Sequence, residues 1–168
     1  METSELLTDT FDRIRELYVD IAGDLTPDDA HHRPEGTGNS IAWLLWHTAR
    51  VQDDHVAGVA GVSQAWDGFS DRFGLPFAHG EIGYGHTSEQ VDAVRIEDLG
   101  PLVEYHEAVH QLTLDYLGRV DADELDRVVD RRWDPPVTAG VRLVSVVGDC
   151  LQHVGQAAYV KGLLNSTR

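Results

Sequence analysis

From Glu2 to Ile21 the apolar residues Leu6, Leu7, Phe11, Ile14, Leu17, Tyr18 and Ile21 recur at three- and four-residue steps, the signature of one face of a helix. The stretch Asp24 to Gly38, rich in Pro, Asp, His and Gly, breaks the pattern and reads as a loop. A second helix is predicted with Asn39 or Ser40 as its cap, running through IAWLLWHTARVQDDHV to about Ala57. Between Gly58 and Arg95 no period is sustained, although a short helix fits around Gln64 to Arg72; a connection of that length in a compact domain usually has a function. The third helix spans about Glu97 to Leu117, with Leu102, Tyr105, Val109, Leu112 and Tyr116 on one seam. A short helical piece fits Asp121 to Val129, and WDPP, Trp133 to Pro136, is a stop.

The last helix, roughly Thr138 to Asn165, carries charge only at Arg142, Asp149 and Lys161. Apolar nearly all round, it is predicted to be the most buried element. No run alternates convincingly as a strand. The pattern therefore predicts an all-α four-helix bundle, one domain over residues 1–168, with a long connection between the second and third helices.

Composition narrows the functions open to such a bundle. With 29 acidic against 13 basic residues the formal net charge is −16, which repels phosphate backbones and anionic membranes, so neither nucleic acid nor membrane is expected as a partner. One cysteine, Cys150, permits no intrachain disulfide, and no signal-like start or membrane-length apolar run appears, so a cytoplasmic location is expected. A 168-residue chain buries a sufficient core without a structural metal, so a metal site here would be functional.

The last helix holds a seam of Val146, Asp149, His153, Gln156, Val160 and Leu163 in which three consecutive members are polar. Asp149 and His153, four apart, project to the same side. A carboxylate inside an apolar helix is costly unless it is paired or bound to a cation. On the second helix His47 lies amid Trp43, Leu44, Leu45 and Trp46. If the two helices are antiparallel, His47, Asp149 and His153 fall within about one turn of a common level. Two readings stand at this point: a divalent metal held by two imidazoles and a carboxylate, or a buried pair in which Asp149 accepts a hydrogen bond from one of the histidines.

LLWHTARVQDDHV followed much later by GDCLQHVGQAAYVKGLL resembles the DinB-like (DinB/YfiT) superfamily, especially the branch with DUF664 proteins and the N-terminal domain of mycothiol-dependent maleylpyruvate isomerase. The resemblance implies an up-down-down-up bundle, which makes the second and last helices antiparallel. It also implies a divalent ion, zinc first and nickel or iron as alternatives, held by a histidine of the second helix and an H-x-x-x-H or E-x-x-x-H pair of the last. His47 and His153 match directly, whereas Asp149 stands where many members have His or Glu and reaches one methylene less far. The activity so implied is metal-dependent thiol transfer or isomerisation on a small molecule, with mycothiol as a cosubstrate. The rival readings are a metal-dependent hydrolase, with Asp54 or His106 moving protons, and a non-catalytic stress-related bundle that binds metal or ligand, with a homodimer formed through aromatic surface.

Several further residues invite chemistry. YHEAVHQL contains His106, Glu107 and His110 in the H-E-x-x-H order of zinc proteases, but no third-ligand motif follows it, so the pair is expected to be structural or to line the bundle pocket. GEIGYGHTSEQV, Gly80 to Val91, is a glycine-rich loop that closes over the metal mouth or else lies free on the surface. His31, His32, His55 and His79 are expected in solvent, Cys150 in the core, and Trp43, Trp46, Trp66 and Trp133 as core or interface anchors.

Overall fold

The computed structural model describes residues 2–166. Its helices are α1 (Thr3–Ala22), α2 (Pro27–His31), α3 (Ile41–Ala60), α4 (Ser88–Asp92), α5 (Gly100–Leu117), α6 (Ala122–Asp126) and α7 (Ala139–Ser166), with short 3-10 turns in the connections. Local chemistry sets the boundaries. Ser40 caps α3 by accepting the Trp43 N–H, and α3 ends at Gly61, whose left-handed φ of 71° lets its N–H reach Ala57 O. Pro101 sits in the first turn of α5, and Asp121 caps α6. The Gln64 to Arg72 stretch forms two 3-10 turns, Ala65–Gly68 and Ser70–Arg72, in place of one short α-helix.

Side-chain contacts give the helix directions. His55 meets Arg142 and Thr48 meets Cys150, so α3 and α7 run antiparallel. Arg50 meets Tyr105 and Gln52 meets Thr113, so α3 and α5 run parallel. Tyr18 stacks on His106 and Arg15 pairs with Glu107, His110 with Asp12, so α1 and α5 are antiparallel. The resulting order is up-down-down-up, as expected. Lys161, the chain's single lysine, donates to the carbonyls of Asp20, Ile21 and Gly23, covering the C-terminus of α1 where a cation is favoured.

One expectation about burial is corrected. Sixteen of the twenty residues of α3 are buried, against seven of twenty-eight in α7, so α3 and not α7 is the central element. The α7 residues that enter the core are Ala139, Leu143, Val146, Cys150, Val154, Ala157 and Val160, while Val144 and Tyr159, each about two-thirds exposed, face outward. A small antiparallel ladder, β1 (Val128–Asp130) with β2 (Val137–Thr138), closes the connection around Trp133 to Pro136, where alternation alone signals no strand. Trp133 itself is exposed and anchors no core, whereas Trp43, Trp46 and Trp66 are buried. Among the described residues no helix is long and apolar enough to cross a membrane.

Two charges lie inside α3 with no exposure at all. Asp53 accepts the N–H groups of Ala65 and Trp66 and the Tyr105 hydroxyl, at 2.9, 2.8 and 2.7 Å. Arg50 donates to Glu81 O, Gln64 Oε1 and the Tyr105 hydroxyl, lies over the Trp66 ring, and stands 3.5 Å from Asp53. Burying either ion alone would be strongly unfavourable, and the shared partners offset that cost. The network fastens the start and the middle of the long connection to α3.

Candidate metal centre

His47 rises from the buried middle of α3, and Asp149 and His153 from the edge of α7 that borders it. The Asp149 side chain is 36% exposed, so the acid lies at the mouth of the helix pair and not inside an apolar rod. One nitrogen of each imidazole and an oxygen of Asp149 all lie within 4.8 Å of one another. Each Nε2 stands 3.7 Å from a different oxygen of the carboxylate, His47 from Oδ2 and His153 from Oδ1.

The outer hydrogen bonds decide what those facing atoms are. His47 Nδ1–H donates to Ile82 O, a carbonyl that can only accept, so in the neutral ring the proton is on Nδ1 and Nε2 presents a lone pair. His153 Nδ1–H donates to Gln156 Oε1 at 2.9 Å with the same result. Burial lowers the His47 pKa, followed by the backbone bond to Ile82, which raises it, and the nearby His153, which lowers it; the net direction is down and favours the neutral ring. Two nitrogen lone pairs thus face a carboxylate across distances too long for any hydrogen bond. Asp149 Oδ2 is buried without a hydrogen-bond partner among the described residues.

That arrangement disfavours the simple Asp–His pair and fits a cation. Metal–ligand bonds of about 2.05 Å in a tetrahedral shell place donor atoms about 3.3 Å apart; here each Nε2 is 3.7 Å from a carboxylate oxygen and the three donors span up to 4.8 Å, so the side chains must draw together to hold an ion. Two imidazoles and one carboxylate form a donor set suited to zinc and related divalent ions, and they leave coordination positions for water or substrate.

The glycine-rich loop belongs to the site. Its Ile82 carbonyl orients His47, and Gly83 packs so close that a Cβ there would stand 2.7 Å from His47 Nδ1 and 3.0 Å from the Trp46 ring. Gly83 also has φ of +93°, which L side chains rarely adopt. Trp43 stacks on His47, and its indole N–H donates to His86 Nδ1 at 3.2 Å, tying the next part of the loop to α3. Arg50 holds Glu81 O one residue before Ile82, so two α3 side chains one turn apart fix this segment. Gly83→Ala is therefore expected to destabilise the fold by more than about 1 kcal/mol and to weaken metal binding by about 10- to 100-fold. Urea unfolding and zinc titration check this, and an unchanged zinc affinity would contradict it.

Other candidates are placed elsewhere. Asp54 accepts from Gln64 Nε2 and lies 3.2 Å from His55 Nδ1, two turns along α3 from His47. His106 is fully buried against α1, its ring stacked on Tyr18 at 3.9 Å, and neither ring nitrogen has a hydrogen-bond partner among the described residues. His110 pairs with Asp12 at 3.0 Å and Glu107 with Arg15, so the H-E-x-x-H residues point into different environments and do not converge on a common point. Cys150 is buried and burial pushes its thiol pKa up, which leaves it a packing residue. His32 and His79 are exposed as expected, but His31 and His55 are half-buried, His31 accepting the Ile96 N–H. The Arg50–Asp53 network is the feature that sequence reading missed; adjacent charges inside the apolar IAWLLWHTARVQDD run were its available signal.

The buried His106 makes a prediction about acid. Burial, with smaller contributions from His110 and Arg15, lowers its pKa from 6.5 to about 3. The native ring therefore stays neutral while the unfolded chain takes up a proton, so stability is complete above about pH 6.5 and falls by about 1.4 kcal/mol per pH unit toward pH 3. His106→Phe keeps a ring against Tyr18 and removes this dependence. The stability difference between variant and wild type should grow by that slope as pH falls below 6.5, measured by urea unfolding; a difference independent of pH would contradict the assignment.

Comparison with known proteins places the whole chain. No curated protein matches it. A solved structure, the crystal structure of a conserved protein from Enterococcus faecalis, is similar at 31% identity with a TM-score of 0.91, covering 99% of both chains. The sequence profile described as the DinB superfamily matches residues 10–157, a span that contains His47, Asp149 and His153. The chain belongs to the DinB superfamily.

Proposed function

We propose that this chain is a metal-dependent enzyme acting on a small molecule, of the thiol transferase or isomerase type, with His47, Asp149 and His153 as the ligands. The observation that carries the reading is the pair of Nε2 lone pairs facing the two oxygens of Asp149, of which Oδ2 has no hydrogen-bond partner among the described residues. Zinc is the ion best suited to this donor set, with nickel or iron as alternatives. A divalent ion held there supplies positive charge that lowers the pKa of a bound thiol or water.

The protein residues supply orientation. Ile82 O and Gln156 Oε1 hold the two imidazoles in the ligating tautomer, and Trp43 stacks against His47 and meets the His153 ring at a right angle. A thiol substrate needs no further base once its proton is lost on binding, whereas hydrolysis needs a group to manage the proton of water. Asp54 and His106, the two groups that sequence offers for that role, are engaged away from the cluster. This favours the thiol reading over the hydrolytic one. Mycothiol is the thiol to test first, in keeping with the branch of the superfamily that the chain resembles.

The test is thiol-dependent consumption of an electrophile such as monochlorobimane by zinc-loaded protein, followed in wild type and in His153→Ala. Turnover that requires both thiol and His153 is the expected result. Hydrolysis of ester or amide substrates without thiol would replace this reading, and stoichiometric metal binding with neither activity would leave a binding protein.

A further inference from the structure

A cleft of about 500 Å³ opens beside the first turn of α7, within the volume usual for small-molecule sites. Its charged lining is Asp54, His55, Asp130, Arg131, Arg132 and Arg142. In a chain with only 13 basic residues against 29 acidic ones, three arginines at one cleft are a local reversal of sign. Both acids there are already engaged. Asp130 accepts from Arg132 and Arg142 at 2.9 and 3.3 Å, and Asp54 accepts from Gln64 and faces His55. Arg131 is exposed and makes no ion pair among the described residues. Asp130 thus holds Arg132 along one edge and shares Arg142 with His55, leaving the remaining donors of Arg132 and all of Arg131 for a guest.

The cleft and the metal cluster share one seam. On α3 the step from His47 to Asp54 is seven residues, and on α7 the step from Asp149 back to Arg142 is seven residues. The helices are antiparallel, so both steps run the same way and place Arg142 and Asp54 about 10 Å from the cluster along the bundle axis, while Arg131 and Arg132 line the same cleft from the β1–β2 connection. The register is fixed at both levels, by Thr48 with Cys150 and by His55 with Arg142. On the intervening turns Val51 and Val146 are buried and the short Ser145 is exposed.

We infer that this cleft receives the carboxylate of an extended substrate whose metal-binding atom lies about 10 Å away, so that the preferred thiol is one with an anionic tail. The inference rests on the thiolate reading above and specifies its substrate class. Arginine forks suit a carboxylate because they offer paired donors in one plane. The preference is diagnostic because the overall charge of −16 disfavours non-specific binding of an anion.

The experiment uses cobalt(II)-loaded full-length protein titrated with ω-mercapto-octanoate, whose extended chain matches the span, and with its neutral analogue ω-mercapto-octanol. Thiolate-to-cobalt absorption reports the metal end of the guest, and the ratio of the two Kd values reports the other end. The acid is expected to bind about tenfold more tightly than the alcohol. The short pair mercaptopropionate and mercaptopropanol, unable to span the seam, should show no such preference. Arg131→Gln should reduce the ratio, and Arg131→Gln with Arg132→Gln should bring it close to one while the absorption band persists. Equal affinity for the two long thiols, or a preference that survives the double substitution, would overturn the inference and leave the thiolate reading intact. Absence of the band with every thiol would overturn both.

Discussion

Zinc added to metal-free protein at about one hundred times its Kd is expected to stabilise the fold by about 2.7 kcal/mol and to raise the Tm by about 5–10 °C. The gain is expected because the ligands converge only in the native bundle: His47 comes from α3 and the Asp149–His153 pair from α7, about one hundred residues away in sequence. His153→Ala should abolish this zinc-dependent shift. Its side chain hydrogen-bonds only Gln156 among the described residues and packs against the His47 and Trp43 rings, so the metal-free variant should lose little stability relative to the metal-free wild type. Differential scanning calorimetry with and without zinc makes the comparison. A zinc-induced shift of equal size in the variant would show that the ion binds elsewhere.

Asp53→Ala is expected to cost about 3–5 kcal/mol, the largest loss predicted for a single side chain here, because it strips a fully buried Arg50 of its counter-ion. Asp53 also accepts the N–H groups of Ala65 and Trp66, which would lose their partner at the start of the long connection, the Trp66 N–H in a buried position. The consequence should reach the proposed metal ligands. Arg50 holds Glu81 O, and the adjacent Ile82 O orients His47, so a displaced Arg50 frees the carbonyl that sets the tautomer. Zinc affinity should fall by about 10- to 100-fold even though Asp53 touches no ligand. Urea unfolding gives the first quantity and competition with a chromophoric chelator the second. Lost stability with unchanged zinc affinity would separate the network from the site.

Much of this architecture was legible because helix periodicity and caps are local. The three- and four-residue steps gave four long helices, Ser40 marked the start of α3, and the steps of α7 put Asp149 and His153 on one side. The burial of α7 was not legible. Its apolar character continues onto an outer face of Val141, Val144 and Tyr159 that no other described element covers, and periodicity cannot distinguish an apolar face turned inward from one left exposed. The buried Arg50–Asp53 pair was invisible for the opposite reason: polar letters in a helix read as a solvent face unless the partners are known, and here those are Tyr105 and backbone groups of a connection without periodicity. The H-E-x-x-H order proved to be a coincidence of spacing, since residues four apart on α5 meet Tyr18 and Asp12 on α1 and share no centre. The three metal-ligand candidates could be named from sequence, but the atoms they present could not. Those depend on Ile82 and Gln156, and the link to Ile82 spans thirty-five positions.

The most direct test is metal analysis of protein purified without a histidine tag, joined to X-ray absorption at the edge of the metal found. One divalent ion per chain, with a shell of two imidazole nitrogens and a carboxylate oxygen, and near-complete loss of that ion in His47→Ala and His153→Ala, is the result expected of these ligands. Metal content unchanged in both variants would contradict it.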